Sequence, residues 1–143
     1  MLIKLLSVIP VVNVSGEEMF QAETVTMLND MCLFAPATLI DKRIKWETLD
    51  ERSVKAVFTN RETTVSGELY FNEQNQLVNF ISDDRYDVNE MKKYRFSTPA
   101  LEYSQINGYN LCTYGEAVWH YPEGDFVYGK FNLTGLEYNV TGP

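Results

Sequence analysis

The stretch Thr63–Tyr86, TTVSGELYFNEQNQLVNFISDDRY, decides how this chain folds. It reads as two strands joined by a tight turn at Asn72 to Gln76, where Asn and Gln replace apolar residues. Successive side chains of a strand point to opposite faces. That places Val65, Gly67, Leu69 and Phe71 on one face of the first strand and Ser66, Glu68 and Tyr70 on the other. On the second strand Val78 and Phe80 stand opposite Leu77, Asn79 and Ile81, so its two faces are less distinct.

Working outward, the same two-fold alternation continues. Ile44, Trp46 and Thr48 mark a strand, Asp50-Glu51 a turn, Val54 to Thr59 a second strand and Asn60 to Glu62 the next turn. Asp87 to Lys93 reads as a loop or a single helical turn. Ala100 to Ile106 is a strand ending at Asn107-Gly108, the strongest hairpin signal in the chain because both residues tolerate positive φ. Leu111 to Tyr121 returns, with Leu111, Thr113, Gly115, Ala117, Trp119 and Tyr121 assigned to one face. After Pro122–Asp125 a long strand runs from Phe126 to Val140, with Gly129 and Gly135 as places to bend.

Upstream, Glu17 to Leu33 is the one convincing helix. Ser15 serves as N-cap, and Glu17 and Glu18 sit at the positive end of the helix dipole. Met19, Met27 and Met31 are placed on a single apolar face, and Pro36 stops the helix. The first residues, MLIKLLSVIPVVNVSG, are too short and too interrupted to span a bilayer. Their β-branched content predicts one edge strand. The expected fold is therefore α+β, a single domain over 1–143: a curved antiparallel sheet of about eight strands, a half-barrel-like meander, with one main helix packed across it.

Bulk properties narrow the function classes. At 143 residues the chain can bury a core, and its hydrophobic content of 45% excludes disorder. A formal net charge of −8, with no Lys/Arg stripe against it, repels phosphate backbones, so nucleic acid is not an expected partner. Cys32 and Cys112 are the only cysteines and form no CxxC pair. They read as two buried reduced thiols rather than a zinc or redox motif. His120 is the only histidine, which argues against a histidine-based metal site. Any Ser/His/Asp or Cys/His relay would have to use it. Alternation gives Cys112 and His120 the same face but roughly 26 Å of separation along the strand, too far for a pair. The polar cluster Asp83-Asp84-Arg85-Tyr86 reads as a strand-end ion pair or turn cap, since adjacent acids on an extended chain diverge. No phosphate loop, GxSxG elbow or HExxH motif is present, and no cofactor is implied.

Several strings occur in a fixed order: Pro36-Ala37-Thr38-Leu39, Trp46, Gly67-Glu68-Leu69-Tyr70-Phe71, Asp84-Arg85-Tyr86, Thr98-Pro99, Gly115-Glu116-Ala117-Val118-Trp119 and Gly124-Asp125-Phe126-Val127-Tyr128. Together they resemble the C-terminal part of an uncharacterised bacterial family, a domain of unknown function whose longer members carry an N-terminal membrane segment. The resemblance implies a short member or a piece of a longer protein, and it brings no catalytic residue with it. Phe96 stands where such relatives carry a tryptophan before the Thr-Pro pair, and the stretch before Gly115 also departs.

The aromatic residues carry the functional expectation. Trp46, Tyr70, Trp119 and Tyr128, with Arg85, are expected to line or rim a pocket for an apolar or lipid-like ligand, in a non-enzymatic binding module near a membrane. The alternative is a structural or protein-interaction domain with a filled core, whose exposed sheet edge pairs two copies. A remoter one is a hydrolase using Asp84, Arg85 and Glu116.

Overall fold

The computed structural model describes residues 2–5 and 9–13 by their backbone and residues 16–139 in full. Strands β1 (Leu2–Leu5) and β2 (Ile9–Asn13) pair antiparallel as a sheet of their own. This corrects the expectation of one edge strand: the two halves pair and satisfy each other's backbone groups. Ser15, the expected N-cap, lies outside the described residues. Gly16 holds the cap position at φ 122°, with no side-chain cap, and its carbonyl accepts from Phe20 N at 3.0 Å.

Helix α1 spans Glu17–Phe34, and Glu17 and Glu18 complement its dipole in the first turn. Its buried stripe includes Ala22, Val25, Leu28, Asn29 and Cys32, spaced by three and four. Met19 and Met31 join that stripe, but Met27 does not, being 40% exposed. It lies two residues beyond Val25, roughly 200° around the helix, which corrects the three-methionine face. A 3-10 turn, Pro36–Ile40, follows, with proline in its first turn.

The rest is strand: β3 (Ile44–Asp50), β4 (Ser53–Asn60), β5 (Thr63–Phe71), β6 (Leu77–Ser82), β7 (Tyr86–Asp87), β8 (Lys92–Lys93), β9 (Arg95–Ile106), β10 (Tyr109–Tyr121) and β11 (Gly124–Asn132). β7 and β8 form a small ribbon that brackets the stretch expected to be a loop or helical turn, Asp87–Lys93. The other seven form one antiparallel sheet in the order β11-β10-β9-β6-β5-β4-β3. The α+β class is as expected, with a main sheet of seven strands rather than about eight. The sheet is open, with β3 and β11 as its edges.

Two strand boundaries differ from expectation for local reasons. β9 begins at Arg95, five residues before Ala100. Phe96, Ser97 and Thr98 are buried in succession, so no alternation announces them, and Pro99 argues against a central strand. β11 ends at Asn132, and Val140 lies outside the described residues. At the other hairpin, Asn107 and Gly108 take φ 49° and 83°, the paired positive values their sequence predicts.

Bulges decide which faces meet α1. The β5–β6 register shifts between Tyr70 and Phe71, which pair with Asn79 and Leu77 and leave Val78 unpaired. Leu77 therefore joins Phe80 in the core instead of opposing it. The β9–β10 register skips Thr113, so Cys112 turns to the same side as Trp119. This overturns the shared Cys112/His120 face. The core packs Val25, Leu28 and Cys32 of α1 on Phe58, Val65, Leu69, Phe80, Phe96, Cys112 and Trp119 of the sheet. Fully burying each such Val, Leu or Phe contributes about 1.5–3 kcal/mol.

Cys32 and Cys112 are free and buried. Burial pushes the Cys32 thiol up to about 12 and raises that of Cys112. Because the thiolate is the reactive form, neither should be labelled by a disulfide reagent at pH 8 in native protein, and both should react at once in denaturant. Labelling of one thiol before unfolding would contradict this packing.

Candidate functional site

The turn after β6 builds the densest cluster. Asp83 leaves the sheet to meet Arg95 through two hydrogen bonds of 2.9 Å, and this partner holds its carboxyl below the usual range. Asp84 turns the other way. Its Oδ2 accepts from Ser66 N at 2.7 Å and Ser66 Oγ at 2.9 Å, while Gln21 of α1 donates to its main-chain carbonyl at 2.8 Å. With the two acids so engaged, Arg85 extends alone across the aromatic rings of Phe96, Trp119 and Tyr128. Its guanidinium lies 4.4, 4.9 and 5.5 Å from their centroids, and Nη1 donates to Tyr128 Oη at 2.8 Å. Nε is buried without an acceptor. Asp30 of α1 lies within electrostatic reach. Burial and then Glu23 raise its carboxyl above the usual value, and the Arg85 charge opposes them.

Of the five residues expected to line a pocket, the structure thus brings together Arg85, Trp119 and Tyr128. Rings of this kind make a seat for a cation, and here the chain's own guanidinium fills it. Trp46 is elsewhere, on edge strand β3 opposite Ala56 and 44% exposed. Tyr70 donates to Glu68 at 2.7 Å, and that carboxylate raises its phenol. Glu116 accepts from Lys130 at 3.2 Å and from Tyr114 at 3.1 Å, so Asp84, Arg85 and Glu116 each hold different partners.

A second cluster escaped the sequence reading. Ser97 Oγ lies 2.8 Å from His120 Nε2, and Asp125 Oδ1 lies 2.7 Å from His120 Nδ1. With Asp125 ionised, Nδ1 carries the proton and Ser97 donates to Nε2. The connectivity is that of a serine-hydrolase relay. The surroundings are not. Ser97 is 2% exposed, and it sits on β9, between β6 and β10, where main-chain N–H groups are committed to ladders on both sides. Ser97 Oγ is thus buried within the sheet rather than presented at its surface. The three side chains link β9, β10 and the start of β11. The signal was present in part, as Asp125 follows His120 across a tight turn. Ser97 is 23 residues back and becomes a neighbour only through strand pairing.

Two partly enclosed cavities lie at the C-terminal end of α1. One chamber, ≈ 360 Å³, is lined by Pro36, Ala37, Thr38, Tyr109, Leu111 and Tyr138 among others. Another, ≈ 230 Å³, is lined by Cys32, Leu39, Leu69, Phe71, Leu77 and Tyr103 among others. Pro36, Asn110 and Leu111 line both, so the two cavities adjoin at these residues. Tyr109 and Tyr138 meet edge to face at 5.1 Å, Tyr138 Oη donates to the Phe34 carbonyl, and Tyr103 Oη donates to Leu77 O at 2.8 Å. The Tyr103 and Tyr138 hydroxyls are thus engaged with the main chain, while Gln74, Asn75, Gln76 and Asn110 add polar groups to the wall. A larger open hollow, ≈ 750 Å³, lies between the start of α1 and the β4–β5 turn, where Glu17, Arg61 and Glu62 make it polar. Among the described residues no three His, Cys, Asp or Glu side chains are placed to hold a metal, and no helix is long and apolar enough to cross a membrane.

These features define an α+β domain in which an open antiparallel sheet, one helix and a 3-10 turn enclose an apolar cleft. The chain belongs to the family of unknown function DUF6544, whose family model matches residues 1–131. No curated protein and no solved structure matches it.

Proposed function

We propose that this chain is a non-enzymatic binding module that takes an apolar or lipid-like molecule into the cleft at the C-terminal end of α1. The observation that carries this reading is the pair of neighbouring cavities that share Pro36, Asn110 and Leu111 as wall residues. The larger chamber falls in the size range of small-molecule sites, and such sites combine apolar walls with a few polar groups. Here Gln74, Asn110 and the Tyr109 hydroxyl are the polar groups. The setting beside a membrane rests on the resemblance to the C-terminal part of longer, membrane-anchored proteins. Arg85, Trp119 and Tyr128 then serve the module by fixing the sheet to α1, because their cage is already filled.

The test is native mass spectrometry of freshly purified protein, joined to a titration with the apolar dye 1-anilinonaphthalene-8-sulfonate. Ala37 is exposed at the wall of the larger chamber, so Ala37→Trp should fill it without touching the core. Wild-type protein is expected to carry an adduct or take up the dye, and Ala37→Trp to weaken uptake at least tenfold, by the arithmetic of a displaced apolar contact of about 1.4 kcal/mol or more. Equal uptake by both proteins, or none by the wild type, would sink the reading.

A further inference from the structure

Edge strand β3 sorts its charges about Trp46: Lys45 precedes it and Glu47 and Asp50 follow, while Arg43, just before the strand, is held by Asp41. Every residue of the strand after Ile44 is exposed, including Trp46 at 44% and Leu49 at 46%. Edge strands are commonly guarded by charge because their unpaired N–H and C=O groups template further pairing. Guarding does not require the charges to be sorted by sign about a central tryptophan.

We propose that β3 pairs antiparallel with β3 of a second copy of this chain, about a two-fold axis passing at Trp46. In that register Lys45 faces Glu47 of the second copy and Glu47 faces its Lys45. Ile44 faces Thr48, and the two Trp46 side chains meet. Opposed residues of an antiparallel pair share a face, and the register respects this throughout. Ile44, Trp46 and Thr48 oppose Phe58, Ala56 and Val54 on the α1 side, while Lys45 and Glu47 lie on the other.

Charge complementarity extends beyond the edge. On the face away from α1, Glu68 of β5 opposes Lys55 of β4, which opposes Glu47 of β3. Lys45 of the second copy is the next position in this alternating row, so pairing continues a pattern already built into the sheet. Neither Lys45 nor Glu47 has an ion-pair partner within 4.0 Å among the described residues. For a chain of net charge −8, copies repel overall, and local complementarity of this kind is what fixes a register. The other edge, β11, offers less. Its register with β10 shifts mid-strand, between Ala117 and Val118, whereas the shift of β3 against β4 falls between Thr48 and Asp50, beyond the Ile44–Thr48 segment that pairs.

The experiment is analytical ultracentrifugation of the full chain across roughly 5–500 µM, the range suited to a small interface. The wild type is expected to dimerise. Lys45→Glu and Glu47→Lys each place like charges opposite one another and should weaken association at least tenfold. The double variant K45E/E47K restores the pairing and should regain it. Both positions are exposed, so circular dichroism of each variant should match the wild type. Trp46→Cys is the second measurement. On the axis the two Cα atoms stand about 4.5–5.5 Å apart, within disulfide range, and Cys32 and Cys112 are buried. Mild oxidation should give a covalent dimer in this variant and not in Leu49→Cys. A monomeric wild type throughout the range, single reversals that dimerise normally, or a double variant that folds yet stays monomeric would each overturn the proposal.

Discussion

Alanine in place of Gly67 is expected to lower the free energy of unfolding by about 3 kcal/mol, at the upper end of what overpacking a core costs. On most strands the same change is mildly favourable, because alanine has less freedom to lose from the unfolded chain. Here the sign reverses. A Cβ at position 67 would stand 2.3 and 2.5 Å from two atoms of the Phe80 ring. Phe80 is fully buried on the neighbouring strand and has nowhere to withdraw. The ring lies across the glycine, and α1 packs over both. Because the obstacle is one side chain, it should be removable. Phe80→Leu alone should cost about 1 kcal/mol as a change of shape. Combined with Gly67→Ala it should leave the double variant within about 1 kcal/mol of Phe80→Leu alone, as expected for residues in direct contact. Urea denaturation of the four proteins measures this. Additive losses would show that the clash is not the cause.

Gly67 illustrates what was legible. The alternation of Val65, Leu69 and Phe71 placed it on the inner face, and Asn107-Gly108 placed the β9–β10 hairpin, because both signals are local. The α+β class followed from these and from the spacing along α1. Where the reading failed, a bulge or a long-range neighbour intervened. Skipping Val78 and Thr113 in the ladders moved Leu77 and Cys112 to faces that strict alternation denied them. Pro99 hid the first five residues of β9, since the ladder it interrupts is visible only once β6 and β10 are in place. The aromatic residues were correctly seen as numerous, but their order says nothing about which side chain occupies the space between them. Arg85 fills that space because Asp83 and Asp84 are drawn off to Arg95 and Ser66, and neither contact is local. The cleft at the end of α1 was missed for a related reason: Pro36, Leu69, Tyr103 and Leu111 share it only after four elements converge.

Gly115 supports the docking of α1 from the opposite end of the sheet, and its replacement by alanine should cost about 3–4 kcal/mol. A Cβ there would meet two ring atoms of Phe131 at 2.5 and 2.6 Å, and the main-chain oxygen of Pro99 at 2.7 Å. The Phe131 ring in turn receives Phe34, the last residue of α1, edge to face at 5.3 Å. Gly115 thus makes the floor on which the helix end rests, beside the proposed cleft. The contrast with Gly67 is in the second obstacle. Trimming Phe131 to alanine removes the ring but leaves the Pro99 carbonyl, which belongs to the β9 backbone and cannot rotate away without disturbing pairing to β10. The double variant Gly115→Ala/Phe131→Ala should therefore be less stable than Phe131→Ala by at least about 2 kcal/mol, whereas the Gly67 pair should be rescued. Thermal and urea unfolding of the two double variants separate these outcomes. Full rescue at Gly115 would mean that β9 gives way at Pro99, and that the irregular register there is a soft point rather than a fixed one.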